Sequence, residues 1–289
     1  MPRSRQRLFL MTVLAMVAFA ANSVLCRLAL EQTSIGAAEF TAIRLASGAL
    51  VLWCLVLMRG GSSIRAMMGE GSWLSACALL AYALGFSFSY VSLATGTGAL
   101  LLFGAVQVTM IGHGLREGEH LRIKQWLGLS LACAGLLVLL LPGVARPPLG
   151  SALLMLGAGV AWGLYSLRGK GAGHPLNATA GNFVRAAPVA LLLATFLQRE
   201  ITLDWTGIGY AAASGGVASG IGYAVWYSVL PSLNATTAAT VQLAVPVIAA
   251  LAGALFLAEP LTLRLLLAAV AVLGGIAMVV LQRAARPHA

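Results

Sequence analysis

The sequence predicts an all-α membrane protein of ten transmembrane helices, arranged as two inverted five-helix repeats. Of its 289 residues, 60% are hydrophobic and only 9% are charged, and the mean hydropathy is +0.92. A soluble domain carries about 25% charged residues, so this much apolar surface requires a lipid environment. The apolar runs are continuous for about 20 residues each, which favours helices over the strands of a β-barrel. They predict spans at roughly 8–30, 36–58, 72–94, 97–115, 123–141, 150–168, 176–197, 207–228, 233–257 and 261–281.

The repeats are visible at the fifth and tenth spans. The fifth is preceded by Glu119 in EHLRIKQWLGLSLACAGLLVLLL, and the tenth by Glu259 in EPLTLRLLLAAVAVLGGIAMVVL. Either carboxylate is expected to stabilise the positive end of the span that follows it. Because each copy holds an odd number of spans, the second crosses the membrane in the opposite sense. We expect one repeat over 1–145 and an inverted repeat over 146–289, an arrangement typical of secondary transporters, whose binding site lies between the halves.

The distribution of basic residues predicts the orientation. With a cytoplasmic amino terminus, twelve of the 18 basic residues fall on the inner side, and the outer loops receive only Arg146, Arg199 and Arg264. This bias predicts that both termini lie in the cytoplasm. We expect the protein to be an integral protein of the inner membrane. The net charge of +10 is then a consequence of topology, and no nucleic-acid partner is expected. The expected partners are a small-molecule substrate and membrane lipid; a monomer is sufficient and a dimer possible.

The sequence offers no chemistry for an enzyme. The four cysteines are scattered singly through the spans, and no HExxH, GxSxG or phosphate-binding loop is present. The one aspartate, Asp204, falls in a predicted outer loop, so paired aspartates at span depth are excluded. We expect no enzymatic activity, no metal and no cofactor.

Matching motifs at the starts of the two halves carry a family resemblance. They are Phe19-x-x-Asn22 followed by Arg27, Trp162-Gly163-x-Tyr165 followed by Lys170, Arg44 in AIRLASGAL, Arg185 in FVRAAPVAL, and Tyr90-x-x-Leu93 with Tyr227-x-x-Leu230. In order and spacing the chain resembles the drug/metabolite transporter superfamily, and within it the EamA-type ten-helix exporters. The resemblance implies a pathway lined by spans one to four and six to nine, with spans five and ten outside it. The leucine-rich, lipid-facing character of spans five and ten agrees independently.

Polar and aromatic residues near mid-membrane depth are the candidate substrate-binding residues. They are Phe19, Asn22, Tyr82, Phe86, Phe103, Gln107, Trp162, Tyr165 and Gln242, with Tyr223 and Trp226 nearer the cytoplasm. An amide in hydrocarbon costs several kcal/mol unless it finds a partner or water. The three amides therefore either face a substrate pathway or hydrogen-bond a neighbouring helix. The aromatic residues either line that pathway or pack in the core.

Four charged residues within the spans form the second candidate group. Arg27, Glu39 and Arg44 fall toward the outer side, and Arg185 occupies the inverse location in span seven. We expect Glu39 to pair with Arg27 or Arg44, because pairing neutralises a charge that is costly in the membrane. The alternative is that these groups bind a substrate carboxylate or gate the outer mouth.

Three functional interpretations follow. The first is a secondary transporter that exports small metabolites by alternating access, with aromatic or large neutral amino acids as the narrower expectation. The second is proton-coupled efflux of lipophilic cations, which calls for a carboxylate deep in the pathway; Glu39 is the sole acid in a span core. The third, an intramembrane enzyme, lacks its catalytic residues.

Overall fold

The computed structural model describes residues 2–58, 69–118, 120–141, 147–169, 173–197, 204–233 and 241–284. Within these ranges every regular element is helical, and their order confirms the predicted fold class. Glu119 and Lys170 lie outside the described residues. In chain order the helices are α1 Pro2–Gln32, α2 Ala37–Met58, α3 Trp73–Tyr90, α4 Thr95–Arg116, α5 Ile123–Leu140, α6 Leu149–Gly169, α7 Pro175–Leu197, α8 (Trp205–Ala212, Ala213–Ile221 and Gly222–Val229 in succession), α9 Ala244–Leu257 and α10 Leu263–Ala284.

Eight of the described helices are long and apolar enough to cross a membrane. α8 runs without a break but adopts π-helical geometry over Ala213–Ile221. α9 is a shorter apolar helix, and residues outside the described ranges precede it. α1 begins earlier than predicted, at Pro2, because proline is tolerated in the first turn of a helix.

Helix packing shows how the two halves interlock. The first helix of each half packs mainly on the other half: α1 contacts α8 and α9, and α6 contacts α3 and α4. The second helices, α2 and α7, pack on each other, and so do the fifth helices, α5 and α10. Each contact thus has a counterpart in the other half, as a pseudo-twofold repeat requires. The core of the molecule is consequently the interface between the halves.

Small residues bring the peripheral pair α5 and α10 together. A Cβ atom added to Gly128 would collide with the backbone oxygen of Gly275, and one added to Gly135 would press on Ala271. Such small-residue contacts are the usual packing device in membranes, where lipid removes the hydrophobic drive for association. Side chains elsewhere on these helices, including Leu127 and Leu267, are exposed, as expected for surfaces in contact with lipid.

Gly159 and Gly163 allow α6 to approach α4 closely. A Cβ atom at Gly159 would collide with Ala105 and with the carbonyl oxygen of Leu102, and one at Gly163 would press on Thr109. These contacts place the backbones of α4 and α6, which belong to different halves, side by side.

Candidate functional site

Aromatic side chains from both halves meet at the centre of the bundle. The ring centroids of Tyr82 on α3 and Trp162 on α6 are 4.7 Å apart. Trp162 stacks on Tyr223 of α8 at 5.5 Å, and Tyr223 lies 5.7 Å from Phe19 of α1. We call this set the central aromatic cluster; its members are Phe19, Tyr82, Phe86, Trp162, Tyr165, Phe183, Tyr223 and Trp226.

Helical periodicity explains why these rings face one another. Tyr82 and Phe86 are four residues apart, so they share one face of α3, and their rings lie 5.5 Å apart. Trp162 and Tyr165 are three apart on α6 and stack at 5.2 Å. Tyr82, Phe86 and Tyr165 are buried, whereas Trp162 is half-buried. The cluster therefore combines flat apolar rings, packed on one another, with the hydroxyl groups of its tyrosines.

A single arginine of α2 is built into this cluster. Arg44 is only 2% exposed, and its Nη2 donates a 2.9 Å hydrogen bond to the hydroxyl of Tyr82. Its guanidinium carbon lies 4.7 Å from the ring centre of Phe86 and 5.2 Å from that of Tyr82. Each such contact contributes roughly 0.5–2 kcal/mol. Two such contacts together contribute about 1–4 kcal/mol, against a cost of about 2.5–3.5 kcal/mol or more for a charged side chain in the bilayer interior.

The predicted pairing of Glu39 with Arg27 or Arg44 is wrong. Glu39 is buried at the start of α2, where its Oε2 accepts a 3.3 Å hydrogen bond from the amide of Gly36. Glu39 and Arg44 are five residues apart, which in an α-helix separates their side chains by roughly 140° around the helix axis. They therefore point to different sides of α2. Of the described carboxylates, those within salt-bridge distance of Arg27 belong to Glu31 and Glu259.

Glu259 caps a different helix from the one predicted. Its carboxylate accepts from the amide of Thr95 at 2.7 and 3.0 Å and from the Thr95 hydroxyl at 3.1 Å, so it caps α4 and not α10. The N-cap residue of α4 is Ala94, which has no side-chain acceptor, so the distant carboxylate supplies one. Glu259 also lies 3.4 Å from Nε of Arg27. We call these three residues, Arg27, Glu259 and Thr95, the α1–α4 bridge.

Arg27 and Asp204 tie together the end of the bundle that holds this bridge. Arg27 Nη1 donates to the carbonyl oxygens of Tyr90 and Val91, beyond the last turn of α3. Asp204 caps α8 and accepts a 3.0 Å hydrogen bond from the amide of Ser34 in the α1–α2 loop. The amide of Ser34, followed by that of Gly207, lowers the pKa of Asp204 below its usual value, so the carboxylate is ionised at neutral pH.

The opposite end of the bundle joins α3 to α6 and α7. Asn182 of α7 accepts a 2.9 Å hydrogen bond from the amide of Ser72, which caps α3. Arg168 of α6 donates to Ser75 at 3.1 Å. Arg185 donates to the carbonyl of Gly181 within its own helix and lies over the ring of Trp73. Arg185 thus contacts this end of the bundle.

Of the three amides, Asn22 serves helix packing. Its Oδ1 accepts from the hydroxyls of Ser214 at 2.9 Å and Ser219 at 3.2 Å. These serines are five residues apart in the π-helical part of α8, where hydrogen bonds span five residues and such positions share one face. Asn22 therefore fastens α1 to α8 beside the cluster.

Of the remaining candidates, Gln107 and Phe103 lie on α4, and Gln242 lies just before α9. Gln107 is buried on α4, and its side-chain amide makes no hydrogen bond with the described residues. Gln242 is half-buried just before α9, and it has an interaction partner. Phe103 is buried on α4, but its ring contacts none of the described aromatic rings. A role for these three in binding stays a prediction.

Sequence reasoning missed Phe183 and undervalued Tyr223. Tyr223 was expected nearer the cytoplasm, yet its ring contacts four other described rings, among them Phe19 and Trp162. Phe183 of α7 lies 6.2 Å from Tyr223. Aligning Arg185 with Arg44 places Phe183 opposite Ala42, so the repeat pattern gives no signal for this ring. Among the described residues, no three His, Cys, Asp or Glu side chains are grouped as metal ligands.

The turn that carries Glu259 leads to a stability prediction. Ala258 ends α9 with φ 53, a left-handed conformation that costs a residue with a Cβ atom roughly 1–2 kcal/mol. We expect Ala258→Gly to raise the free energy of unfolding by about 1 kcal/mol, measured by thermal unfolding in detergent micelles. Ala252→Gly, inside the same helix, should lower it by about 0.5–1 kcal/mol. Loss of stability in both variants would contradict the strain argument.

Known proteins are similar to this chain in sequence and in fold. A model of the EamA-like transporter family matches the chain twice, over residues 6–141 and 149–281. An uncharacterized protein of Pseudomonas aeruginosa is 56% identical over 281 residues, 97% of each chain. An uncharacterized transporter of Archaeoglobus fulgidus is 30% identical over 199 residues, 67% of this chain and 70% of its own. A solved crystal structure, 18% identical, has a TM-score of 0.68 over 96% of this chain and 99% of that one, and supports the fold alone. Because the family model covers both halves, this multi-pass membrane protein belongs to the EamA-like transporter family of the drug/metabolite transporter superfamily.

Proposed function

We propose that this transporter exports small metabolites, with aromatic or large neutral amino acids as its substrates, by alternating access between its two halves. The observation that carries the proposal is the central aromatic cluster, which draws its rings from helices of both halves. A substrate held there touches both halves at once, so movement of one half against the other would expose it to either side. Flat ring faces with hydroxyls at the edge suit a ligand with an apolar body and a polar head.

The charges of the cluster favour this proposal over efflux of lipophilic cations. Proton-coupled cation exchange needs a carboxylate that alternates between a proton and the substrate. The charged residue in contact with the described cluster is Arg44, whose positive charge repels a cation. Glu39 caps its own helix, and Glu259 belongs to the α1–α4 bridge. Efflux of cations remains the alternative that the experiment below tests.

In the proposed cycle, both termini lie in the cytoplasm of an inner-membrane protein, so the α1–α4 bridge closes the outer side. Substrate enters from the cytoplasm, binds between the rings and leaves when the outer contacts open. No covalent step is required. The loaded protein must bind its occluded form more tightly than either open form, because a ligand of equal affinity shifts no equilibrium.

Transport in sealed proteoliposomes tests the proposal. The purified protein is reconstituted, a panel of labelled amino acids is supplied, and flux is measured with and without a pH gradient. We expect flux of aromatic and large neutral amino acids, reduced at least about tenfold in Trp162→Ala and also reduced in Gln107→Ala, because ring contacts and one buried amide are lost.

The matched control is Trp126→Ala, which removes a half-exposed tryptophan from α5, outside the cluster. Its flux should equal that of the unaltered protein. Movement of a lipophilic cation dye that depends on the pH gradient, with no amino-acid flux, would contradict the proposal and favour the alternative.

A further inference from the structure

The guanidinium of Arg44 is incompletely partnered at the centre of the molecule. Its Nη2 donates to Tyr82, but its Nε and Nη1 atoms are buried and find no hydrogen-bond acceptor among the described residues. Buried donors of this kind are rare in folded proteins, because each leaves the cost of its desolvation uncompensated. An arginine offers five N–H donors in a planar arrangement that matches a carboxylate.

The charge of Arg44 also lacks a countercharge among the described residues. The salt bridges in the described ranges both involve Arg27, whose partners are Glu31 and Glu259. Glu39, the nearest acid along α2, faces another side of that helix and accepts from Gly36. An intramembrane charge without a countercharge is a candidate functional site, because such charges are costly to keep in the membrane.

The surroundings of Arg44 define what could bind beside it. Phe86 and Tyr82 cover the guanidinium with their ring faces, and Trp162 extends the aromatic surface from Tyr82 by another 4.7 Å. Tyr223 continues the stack on the far side of Trp162. A ligand with a carboxylate at one end and a flat apolar body at the other could therefore place the first on Arg44 and the second among the rings.

We infer that Arg44 is the anion-binding residue of the central site and that the site takes aromatic monocarboxylates, with the carboxylate on the guanidinium. The inference rests on the proposed transport function and defines its substrate class by the carboxylate and the aromatic ring, not by the amino group. Because no carboxylate contacts the described cluster, a substrate ammonium group finds no ionic partner there. Aromatic acids without an amino group consequently bind at least as tightly as the corresponding amino acids.

A panel of ligands that differ only in the charged end tests this inference on the unaltered protein. The probes are 3-phenyllactate, phenylalanine and phenethylamine, which carry one phenyl ring and a net charge of about −1, 0 and +1 at pH 7. Binding is measured by titration calorimetry in detergent. We expect 3-phenyllactate to bind, phenylalanine to bind equally or more weakly, and phenethylamine to show no binding. Binding of phenethylamine as tight as that of 3-phenyllactate, or no binding of 3-phenyllactate, would overturn the inference.

Variants of Arg44 provide the second test. Arg44→Gln should weaken 3-phenyllactate binding by roughly ten- to a hundredfold, the loss expected for a hydrogen-bonded charge, and Arg44→Lys should restore part of it. Arg264→Gln is the matched control, because Arg264 donates to the carbonyl of Leu141 beside α10, outside the cluster. An Arg44→Gln affinity within about threefold of the unaltered protein would refute the site.

Flux measurements separate this inference from the proposed function. Phenylalanine transport that persists unchanged in Arg44→Gln would refute the anion site and leave the transport proposal intact. Binding of 3-phenyllactate that depends on Arg44, without flux of any probe into proteoliposomes, would support the site and refute transport of these compounds. If Arg44→Gln does not fold, the charge panel on the unaltered protein decides the inference alone.

Discussion

Glu259→Ala is expected to lower the free energy of unfolding by on the order of 3 kcal/mol. The carboxylate satisfies the amide of Thr95 at the start of α4 and neutralises Arg27, and its side chain is only 11% exposed. Removing it leaves the first turn of α4 uncapped and Arg27 with its more exposed partner, Glu31. Thermal unfolding in detergent micelles measures the loss, and size-exclusion chromatography confirms that the variant remains folded.

Two companion variants separate the cap from the ion pair. Glu259→Gln keeps an oxygen for the Thr95 amide but removes the charge, so its loss should fall between that of Glu259→Ala and zero. Glu31→Ala removes the other partner of Arg27. The Glu31 side chain is 42% exposed, so its ion pair should contribute less than about 1 kcal/mol to the free energy of unfolding. An equal loss of stability in Glu31→Ala and Glu259→Ala would contradict the claim that the cap on Thr95 and the buried ion pair of Glu259 stabilise the protein more than the Glu31 pair does.

The fold itself was predictable because its signals are local and strong. Long apolar runs fix the number of helices, and the similarity of the fifth and tenth spans fixes the repeats. The central rings were partly predictable for the same reason: Tyr82 with Phe86, and Trp162 with Tyr165, share a helix face by their spacing. Depth along a helix can be counted from the sequence, so aromatic residues at similar depth, such as Tyr82 and Trp162, could be expected to meet.

Partners across helices were not predictable, because they depend on which faces meet. The repeat pattern places Glu259 before α10, and a local cap was the natural expectation. Packing brings it instead to Thr95, 164 residues earlier in the chain. The same limit applies to Glu39, whose nearest arginine along the sequence points to another side of α2.

The π-helical segment of α8 defeated prediction in a different way. If this segment were α-helical, Ser214 and Ser219 would lie roughly 140° apart around the helix axis and could not both donate to one acceptor. The π-helical geometry of Ala213–Ile221 brings both onto Asn22. A sequence rich in glycine and serine does not by itself predict a π-helix. Such segments frequently lie at functional sites.

Gly215→Ala is expected to destabilise the protein by about 2–3 kcal/mol and to reduce transport. Gly215 lies in this π-helical segment, directly against α2, where an added Cβ atom would collide with the carbonyl oxygen of Arg44 and with Oγ of Ser47. The obstacle on one side is backbone, so α2 and α8 would have to move apart. That movement would displace Arg44 from the rings of Tyr82 and Phe86, and substrate binding would weaken along with stability.

Gly209→Ala supplies the control within the same helix. No atom lies within 4 Å of a Cβ atom built at Gly209, and the residue is in the α-helical first part of α8. There the substitution should raise stability by up to about 0.5–1 kcal/mol, because alanine loses less backbone entropy than glycine on folding. The same substitution is therefore expected to lower the free energy of unfolding at Gly215 and to raise it at Gly209, six residues earlier. Equal thermal unfolding of both variants would refute the close approach of α8 to Arg44.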